Sequence, residues 1–347
     1  MKSTIGTRFL TVSSLLLPLV CPVYGEGSIP ATASVAAVSI IDTHAHIMRN
    51  RRADPGRIAP GAIAIMDAQN VELTILSPPP FPEGHRGLYG RSRLIPVVEK
   101  YPSRFSWVAG GESLNGLIHA TPANEVTERA VHALEAEAEA IARDGALGFG
   151  EIAIEHLSSG RGGHPYESVP ADHPLLLALV DVAARHGLPV DIHMEAVPQD
   201  MPSPNGAPPN PERLPANIAA FERMLDHNRQ ATIIWAHAGW DLTFERTVPL
   251  MRSLLAQHPN LFMSVKVDPA GPQRTSPFGP DGSLRPGWLK MLSDFPDRFM
   301  IGSDQFYDEG DSRVVAARHF VDALPSGLAE AIAHGNARRV YRLDVRR

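Results

Sequence analysis

Two histidines separated by one residue, His44 and His46, close an apolar run that begins at Ile40. Alternate side chains of a β-strand point to the same face, so both imidazoles would project together. Neutral imidazole nitrogen is a favoured ligand of zinc and similar divalent ions. The sequence has 15 histidines, and a single His-x-His pair is therefore weak evidence. By itself it indicates only the start of a metal site.

Four further apolar runs also end in a residue that could bind a metal. These residues are Glu151, His193, His237 and Asp304. Runs that repeatedly end in His, Asp or Glu indicate one site built by several strands. Each residue alone has a simpler interpretation, such as a hydrogen-bonded interior histidine or an aspartate that caps the following helix. The ordered set favours the metal site.

The elements that would position these residues follow from the alternation of short β-like runs with amphipathic stretches. Strands are predicted at 38–42, 71–77, 105–109, 147–154, 189–193, 232–236, 261–267 and 299–303. Helices are predicted at 124–143, 174–186, 212–227, 243–258 and 313–324. Eight strands that alternate with helices predict an α/β fold, a (β/α)8 or TIM barrel in a single domain. A doubly wound open sheet is the alternative, but no Gly-rich turn follows the first strand.

Long loops rich in proline and glycine orient this predicted barrel. They cover residues 78–91, 158–173, 196–215 and 269–287, and each follows a predicted strand. Loops that follow barrel strands meet at one face, where the active sites of such barrels lie. The metal ligands would therefore project into a pocket walled by long loops.

The amino-terminal segment has the pattern of a secretory signal peptide. Lys2 and Arg8 precede an apolar stretch at 9–20, and small residues precede a cleavage point after Gly25. The predicted organisation is a signal peptide at 1–25, a linker at 26–37 and the barrel at 38–347. We therefore expect a secreted or periplasmic protein. A membrane anchor is the alternative, but the apolar stretch is short.

Composition excludes several classes of function and ligand. Cys21 is the only cysteine, so cleavage after Gly25 would leave no thiolate ligand and no disulfide. The chain has 32 basic and 38 acidic residues and a formal charge of −6, whereas general nucleic-acid binders are basic. No second segment approaches the length of a membrane span. The expected partner is a small-molecule substrate, and homo-oligomerisation stays open.

The order of these candidate ligands along the chain resembles that of the amidohydrolase superfamily. Within it, the chain is similar to the amidohydrolase-related branch of metal-dependent hydrolases. The segment Gly-Asn-Ala-Arg-Arg-Val-Tyr at 335–341 also resembles the closing helix of that branch. The resemblance implies that His44, His46 and Asp304 hold one ion. His193 and His237 would hold a second ion or orient the substrate, and Glu151 would bridge two ions. It also implies two catalytic residues, Asp304 as the base and His237 as its alternative.

The expected function is hydrolysis of a small ester, lactone or amide by a metal-activated water, with zinc as the expected metal and two ions favoured over one. One alternative is a non-oxidative decarboxylase of a small aromatic acid, which the same branch includes. The other is a non-catalytic ligand-binding barrel, because fold alone does not establish activity.

Residues around the ligands carry weaker signals. Asp42 shares a strand face with His44 and could accept a hydrogen bond from a ligand imidazole, or face solvent instead. His164 and His173, in a predicted active-site loop, are minor candidates. Several cations could bind an anionic substrate through its carboxylate or phosphate, although solvated side chains explain them equally well. These cations are Arg49, Arg51, Arg52, Arg161, Lys266 and Arg274.

Overall fold

A computed structural model describes residues 37–158, 164–204, 209–268, 270 and 274–344. Chain contacts group the residues from Ala37 onward into one compact unit. The predicted signal peptide, nearly all of the predicted linker and Arg161 lie outside the described residues, so export stays a prediction.

Eight parallel strands form the central sheet. Each strand pairs with its neighbours in the order β3-β2-β1-β8-β7-β6-β5-β4, and Ala109 in the second segment of β3 pairs with Phe149 of β4. The pairing therefore returns to β3, as the predicted (β/α)8 barrel requires. The strands are β1 Ile40–His46, β2 Val71–Leu76, β3 Phe105–Trp107 with Ala109–Gly110, β4 Phe149–His156, β5 Val190–Met194, β6 Ile233–Ala238, β7 Leu261–Val265, and β8 Phe299–Ile301 with Gln305–Phe306.

Helices follow the strands along the chain and cover the outside of the sheet. They are α1 Pro55–Ala68, α2 Ile95–Lys100, α3 Leu114–His119, α4 Glu128–Arg143, α5 Pro174–His186, α6 Ile218–His227, α7 Val248–Gln257, α8 Pro286–Asp294, α9 Ser312–Asp322, α10 Ser326–Glu330 and α11 Asn336–Val340, with a π-helical turn at Ala331–Gly335. Helix α5 has the predicted limits because the His173 side chain caps its first turn and Gly187 ends it with a left-handed φ of 59°.

Three predicted helix starts are wrong. The helix predicted at 212–227 begins at Ile218, because Arg213–Leu214 pairs instead with Met201–Pro202 in a small antiparallel ribbon. The helix predicted from residue 124 begins at Glu128, where Thr127 provides the cap. The helix predicted from residue 243 begins at Val248, where the Thr247 hydroxyl accepts the Leu250 N–H. In the last two cases a threonine cap decides the start.

A separate group of apolar side chains fills one end of the barrel interior. They include Ile41, Ile75 and Ile234, and they pack against Val340 and Tyr341 at the end of α11 and just beyond it. This segment after β8 closes one end of the barrel with an apolar floor. Buried polar residues therefore concentrate toward the opposite end, which is the carboxyl end of the strands.

Across the described ranges, no helix has the length and apolar character needed to pass through a bilayer.

Candidate metal centre

His44 and His46 lie on β1 with both rings in the barrel interior, each about 1% exposed. Their ring centroids are 5.3 Å apart, as expected for side chains on one strand face. His44 Nδ1 donates to Asp191 Oδ2 over 3.0 Å, and His46 Nδ1 donates to the Ser77 carbonyl over 2.8 Å. Because both Nδ1 atoms are engaged, the two Nε2 atoms are left to serve as metal ligands.

Glu151 on β4 lies between two pairs of histidines. Its Oε2 is 3.5 Å from His44 Nε2 and 3.6 Å from His46 Nε2. Its Oε1 is 2.8 Å from His193 Nδ1 on β5 and 3.1 Å from His237 Nε2 on β6. One carboxylate therefore faces both pairs, with a different oxygen toward each.

Asp304, just beyond the first segment of β8, also has a different environment at each oxygen. Oδ1 is 3.2 Å from His46 Nε2, whereas Oδ2 accepts from Lys266 Nζ at 2.6 Å and from Arg313 at 2.7 Å. The backbone at Asp304 has φ of 56° and that at His237 has φ of 67°. Such left-handed conformations are uncommon outside glycine and cluster at functional sites.

The donor set fits a divalent ion. Three buried triads have ligand atoms within 4.8 Å of one another. Within the described ranges, the buried atoms His44 Nε2 and His237 Nδ1 have no hydrogen-bond partner. An unpartnered buried polar atom costs about 1–3 kcal/mol, and an ion at this position would satisfy His44 Nε2. The triads are His44, His46 and Glu151; Glu151, His193 and His237; and His44, His237 and Asp304.

Electrostatics favour the protonation states that ligands need at Glu151, Asp304 and His237. At His44 and His193 burial opposes protonation, but nearby carboxylates outweigh it and raise the pKa of His44 and that of His193, the latter to about 9, so these two imidazoles must release a proton to an incoming ion. Burial opposes ionisation of Glu151, but the charge of His44 and hydrogen bonds from His193 and His237 hold its pKa well below the usual range. Burial likewise opposes ionisation of Asp304, but the positive charges of Lys266 and Arg313 outweigh the effect of burial. They hold the pKa of Asp304 well below its usual value. Burial lowers the pKa of His237 well below its usual value. Anionic carboxylates and a neutral imidazole are the forms that bind metals.

The cluster opens into a cavity of about 170 Å³. Lys266 lies in its wall, 2% exposed, with its ammonium 3.7 Å from the centre of the Trp240 ring. A stack of imidazoles forms another part of the wall, with His193 and His156 centroids 4.0 Å apart and His156 and His164 centroids 3.5 Å apart. The other lining residues are His46, Arg49, Pro79, Pro80, Phe81, Glu151, Leu157, His237, Leu242, Asp304, Phe306 and Arg313.

The sequence model of the amidohydrolase family matches residues 41–343, which is most of the chain. The chain belongs to the amidohydrolase family. It is an enzyme of the metal-dependent amidohydrolase type, so the alternative of a non-catalytic barrel is set aside. A search of curated proteins finds no match.

Solved structures share the fold of this amidohydrolase. A probable 2-pyrone-4,6-dicarboxylic acid hydrolase from Acinetobacter baumannii, with citric acid bound, superposes with a TM-score of 0.52 at 14% identity, over 88% of this chain and 99% of that one. A 2,6-dihydroxybenzoate decarboxylase complexed with 2,6-dihydroxybenzoate gives 0.51 at 13% identity, and one from Rhizobium gives 0.50 at 13%. Both cover 88% of this chain and 99% of their own. At such identities the likeness concerns the fold alone.

The structure brings all six predicted ligands of the amidohydrolase together and shows partners that sequence reasoning missed. Asp42 does not contact an imidazole ring; its carboxylate accepts from the backbone N–H groups of His44 and Ser303. Asp191 takes the role predicted for Asp42. The alternation of polar residues in Asp-Ile-His-Met-Glu at 191–195 was the available signal, because it places both carboxylates on the face of His193.

Of the minor candidates, His164 lies in the cavity wall and His173 lies elsewhere, as the cap of α5. Among the candidate cations, Lys266 and Arg49 line the cavity. Arg274 lines a separate pocket beside the start of α8. Arg313, which was not predicted, belongs to the cavity through its contact with Asp304.

Proposed function

We propose that this amidohydrolase is a hydrolase of small esters, lactones or amides that works with two divalent ions, most simply zinc. The observation that carries the proposal is the position of Glu151, with one oxygen toward His44 and His46 and the other toward His193 and His237. Two adjacent dications repel each other strongly unless an anionic group lies between them. A carboxylate placed in this way supports a bridged pair.

Each ion would have its own ligands in addition to Glu151. His44, His46 and Asp304 would hold one ion, and His193 and His237 would hold the other. When bound, such ions lower the pKa of a coordinated water to about 7 and polarise a substrate carbonyl. Asp304 Oδ1 faces the cluster and is the proposed proton acceptor. His237, neutral because of its burial, is the second candidate for that role.

Decarboxylation of a small acid is the second candidate function. Lys266, Arg313 and Arg49 line the cavity beside the ligands, and such cations suit a substrate carboxylate. A 2,6-dihydroxybenzoate decarboxylase has a similar fold. This likeness concerns the fold alone, and the reaction is a matter for experiment. We also propose that the protein is exported, on the pattern of residues 1–25.

The number of bound ions separates the two functions. Elemental analysis of unchelated protein should find two ions per chain, and Glu151→Gln should lose one of them together with most hydrolysis, because a neutral amide bridges poorly. Glu155→Gln is a matched control: it makes the same change four residues along β4, where the carboxylate accepts from the Ser168 hydroxyl. The control should keep both ions. One ion per chain in the wild type, with turnover of aromatic acids but not of lactones, esters or amides, would establish the decarboxylase.

A further inference from the structure

Asp191 and His44 contact each other across the interior of the barrel. Asp191 lies on β5 and His44 on β1, and three strands separate β1 from β5 in either direction around the barrel. Asp191 Oδ2 nevertheless accepts a hydrogen bond from His44 Nδ1 over 3.0 Å. Both side chains are buried, with exposures of 2% and 1%. The contact therefore depends on closure of the whole barrel.

His44 is the one hydrogen-bond partner of the Asp191 side chain among the described residues, since Asp191 Oδ1 has none. A buried carboxylate costs free energy unless it is hydrogen-bonded. An apolar residue would fill this position at lower cost if Asp191 only packed the interior. The presence of a carboxylate at this buried position therefore points to a role that Asp191 exerts through the imidazole of His44.

Packing leaves room for this side chain. A Cβ added to Gly150 on the neighbouring strand β4 would lie 2.9 Å from the Asp191 Cβ, closer than real side chains approach. Glycine at position 150 therefore lets Asp191 lie against β4 with its carboxylate directed at His44.

The two histidines of the His-x-His pair have unequal partners. His46 Nδ1 donates to the neutral carbonyl of Ser77, whereas His44 Nδ1 donates to a carboxylate. A carboxylate partner fixes the tautomer of a ligand imidazole and increases its basicity more than a carbonyl does.

We propose that Asp191 is a positioning residue of the metal centre, which holds the Nδ1–H of His44 so that Nε2 is presented to the ion. Asp191 acts through His44 and contacts neither the ion nor the substrate. This inference rests on the proposed metal site. It predicts that loss of the carboxylate weakens metal binding even though every ligand is kept.

Zinc affinity, measured by competition with a chromophoric chelator, tests the inference without relying on turnover. Asp191→Asn, which keeps the shape of the side chain, should bind zinc about 10-fold more weakly, and Asp191→Ala up to about 100-fold more weakly. Glu155→Gln removes another buried carboxylate that bonds to a hydroxyl rather than to an imidazole. Its affinity should stay within about twofold of the wild type, by the same reasoning.

A second background shows whether Asp191 acts through His44. In a His44→Ala protein, the further change Asp191→Asn should leave the residual zinc affinity unchanged. An equal loss in both backgrounds, or an equal loss in Asp191→Asn and Glu155→Gln, would overturn the inference. If the wild type binds zinc and Asp191→Asn matches it, this inference fails and the proposed function stands. A wild type that binds no divalent ion would overturn both.

Discussion

Lys266 Nζ donates to Asp304 Oδ2 over 2.6 Å, and Arg313 donates to the same oxygen over 2.7 Å. The two oxygens of this carboxylate therefore have different partners. Oδ2 accepts from two cations, whereas Oδ1 lies 3.2 Å from His46 Nε2. The cations fix the orientation of the carboxylate and keep it ionised. Any proton that Asp304 accepts during turnover must arrive at Oδ1.

Asp304→Asn should lower kcat by at least about 100-fold and change KM little, because an amide accepts a proton poorly and leaves both cations without their counter-charge. Steady-state kinetics on a substrate identified by screening would measure this. Asp308→Asn is a matched control in the same loop, since Asp308 binds the backbone of Arg49 and lies outside the cluster. Near-normal kcat in Asp304→Asn would transfer the base to His237.

His44→Ala and His46→Ala should each remove metal and activity while the barrel stays folded. Both ligands lie above the apolar floor, so their loss affects ion affinity more than packing. Elemental analysis, activity and circular dichroism measure the three properties separately. His132→Ala, on the exposed face of α4, is the control and should change none of them. Full metal content and turnover in either ligand variant would contradict the assignment.

Glu155 should make stability depend on pH. Burial raises the pKa of its carboxyl from 4.5 to about 7. The folded state therefore keeps a proton that the unfolded state loses between pH 4.5 and 7, and the free energy of unfolding falls as pH rises through that window. Glu155→Gln should remove this loss, so that its free energy of unfolding rises by about 3 kcal/mol relative to that of the wild type between pH 4.5 and pH 8. Urea unfolding of both proteins at the two pH values measures the difference. A difference in the free energy of unfolding that is the same at both pH values would contradict the prediction.

Export should be visible in the mass of the mature protein. The basic residues and apolar stretch within residues 1–25 predict cleavage after Gly25, so mass spectrometry of the secreted or periplasmic protein should place its first residue near Glu26. Leu16→Arg, which interrupts the apolar stretch, should keep the uncleaved chain inside the cell. An intact Met1 in a cytoplasmic fraction of the wild type would count against export.

Much of the barrel could be read from the sequence because each buried strand is a short apolar run. The grouping of the candidate ligands was predictable for a related reason: β1, β4, β5 and β6 each carry a His or Glu toward the carboxyl end of the barrel, and Asp304 follows the first segment of β8. Helix limits were harder to predict. The start of α6 depends on pairing between Met201–Pro202 and Arg213–Leu214, a contact that local periodicity does not show.

The partners of the ligands were the part that sequence reasoning missed. Asp191 reaches His44 from the opposite side of the barrel, and Lys266 reaches Asp304 from β7. The alternation at 191–195 indicates only the strand face on which Asp191 lies. The partners themselves are set by strand register and barrel closure, which no local pattern contains. Asp42 was a reasonable candidate on strand face alone, but the backbone N–H groups of His44 and Ser303 donate to its Oδ1, and the Ser303 hydroxyl donates to its Oδ2.

The apolar floor has a consequence for the order in which the chain can fold. Tyr341 and Val340 close the barrel from below, yet both follow all eight strands in the chain. A ribosome-bound chain that has not reached Tyr341 exposes Ile41, Ile75 and Ile234 at an open end. Complete closure must therefore wait until these residues leave the ribosome. Under the proposed export, a secretion machinery that takes unfolded chains would have that interval in which to engage the protein.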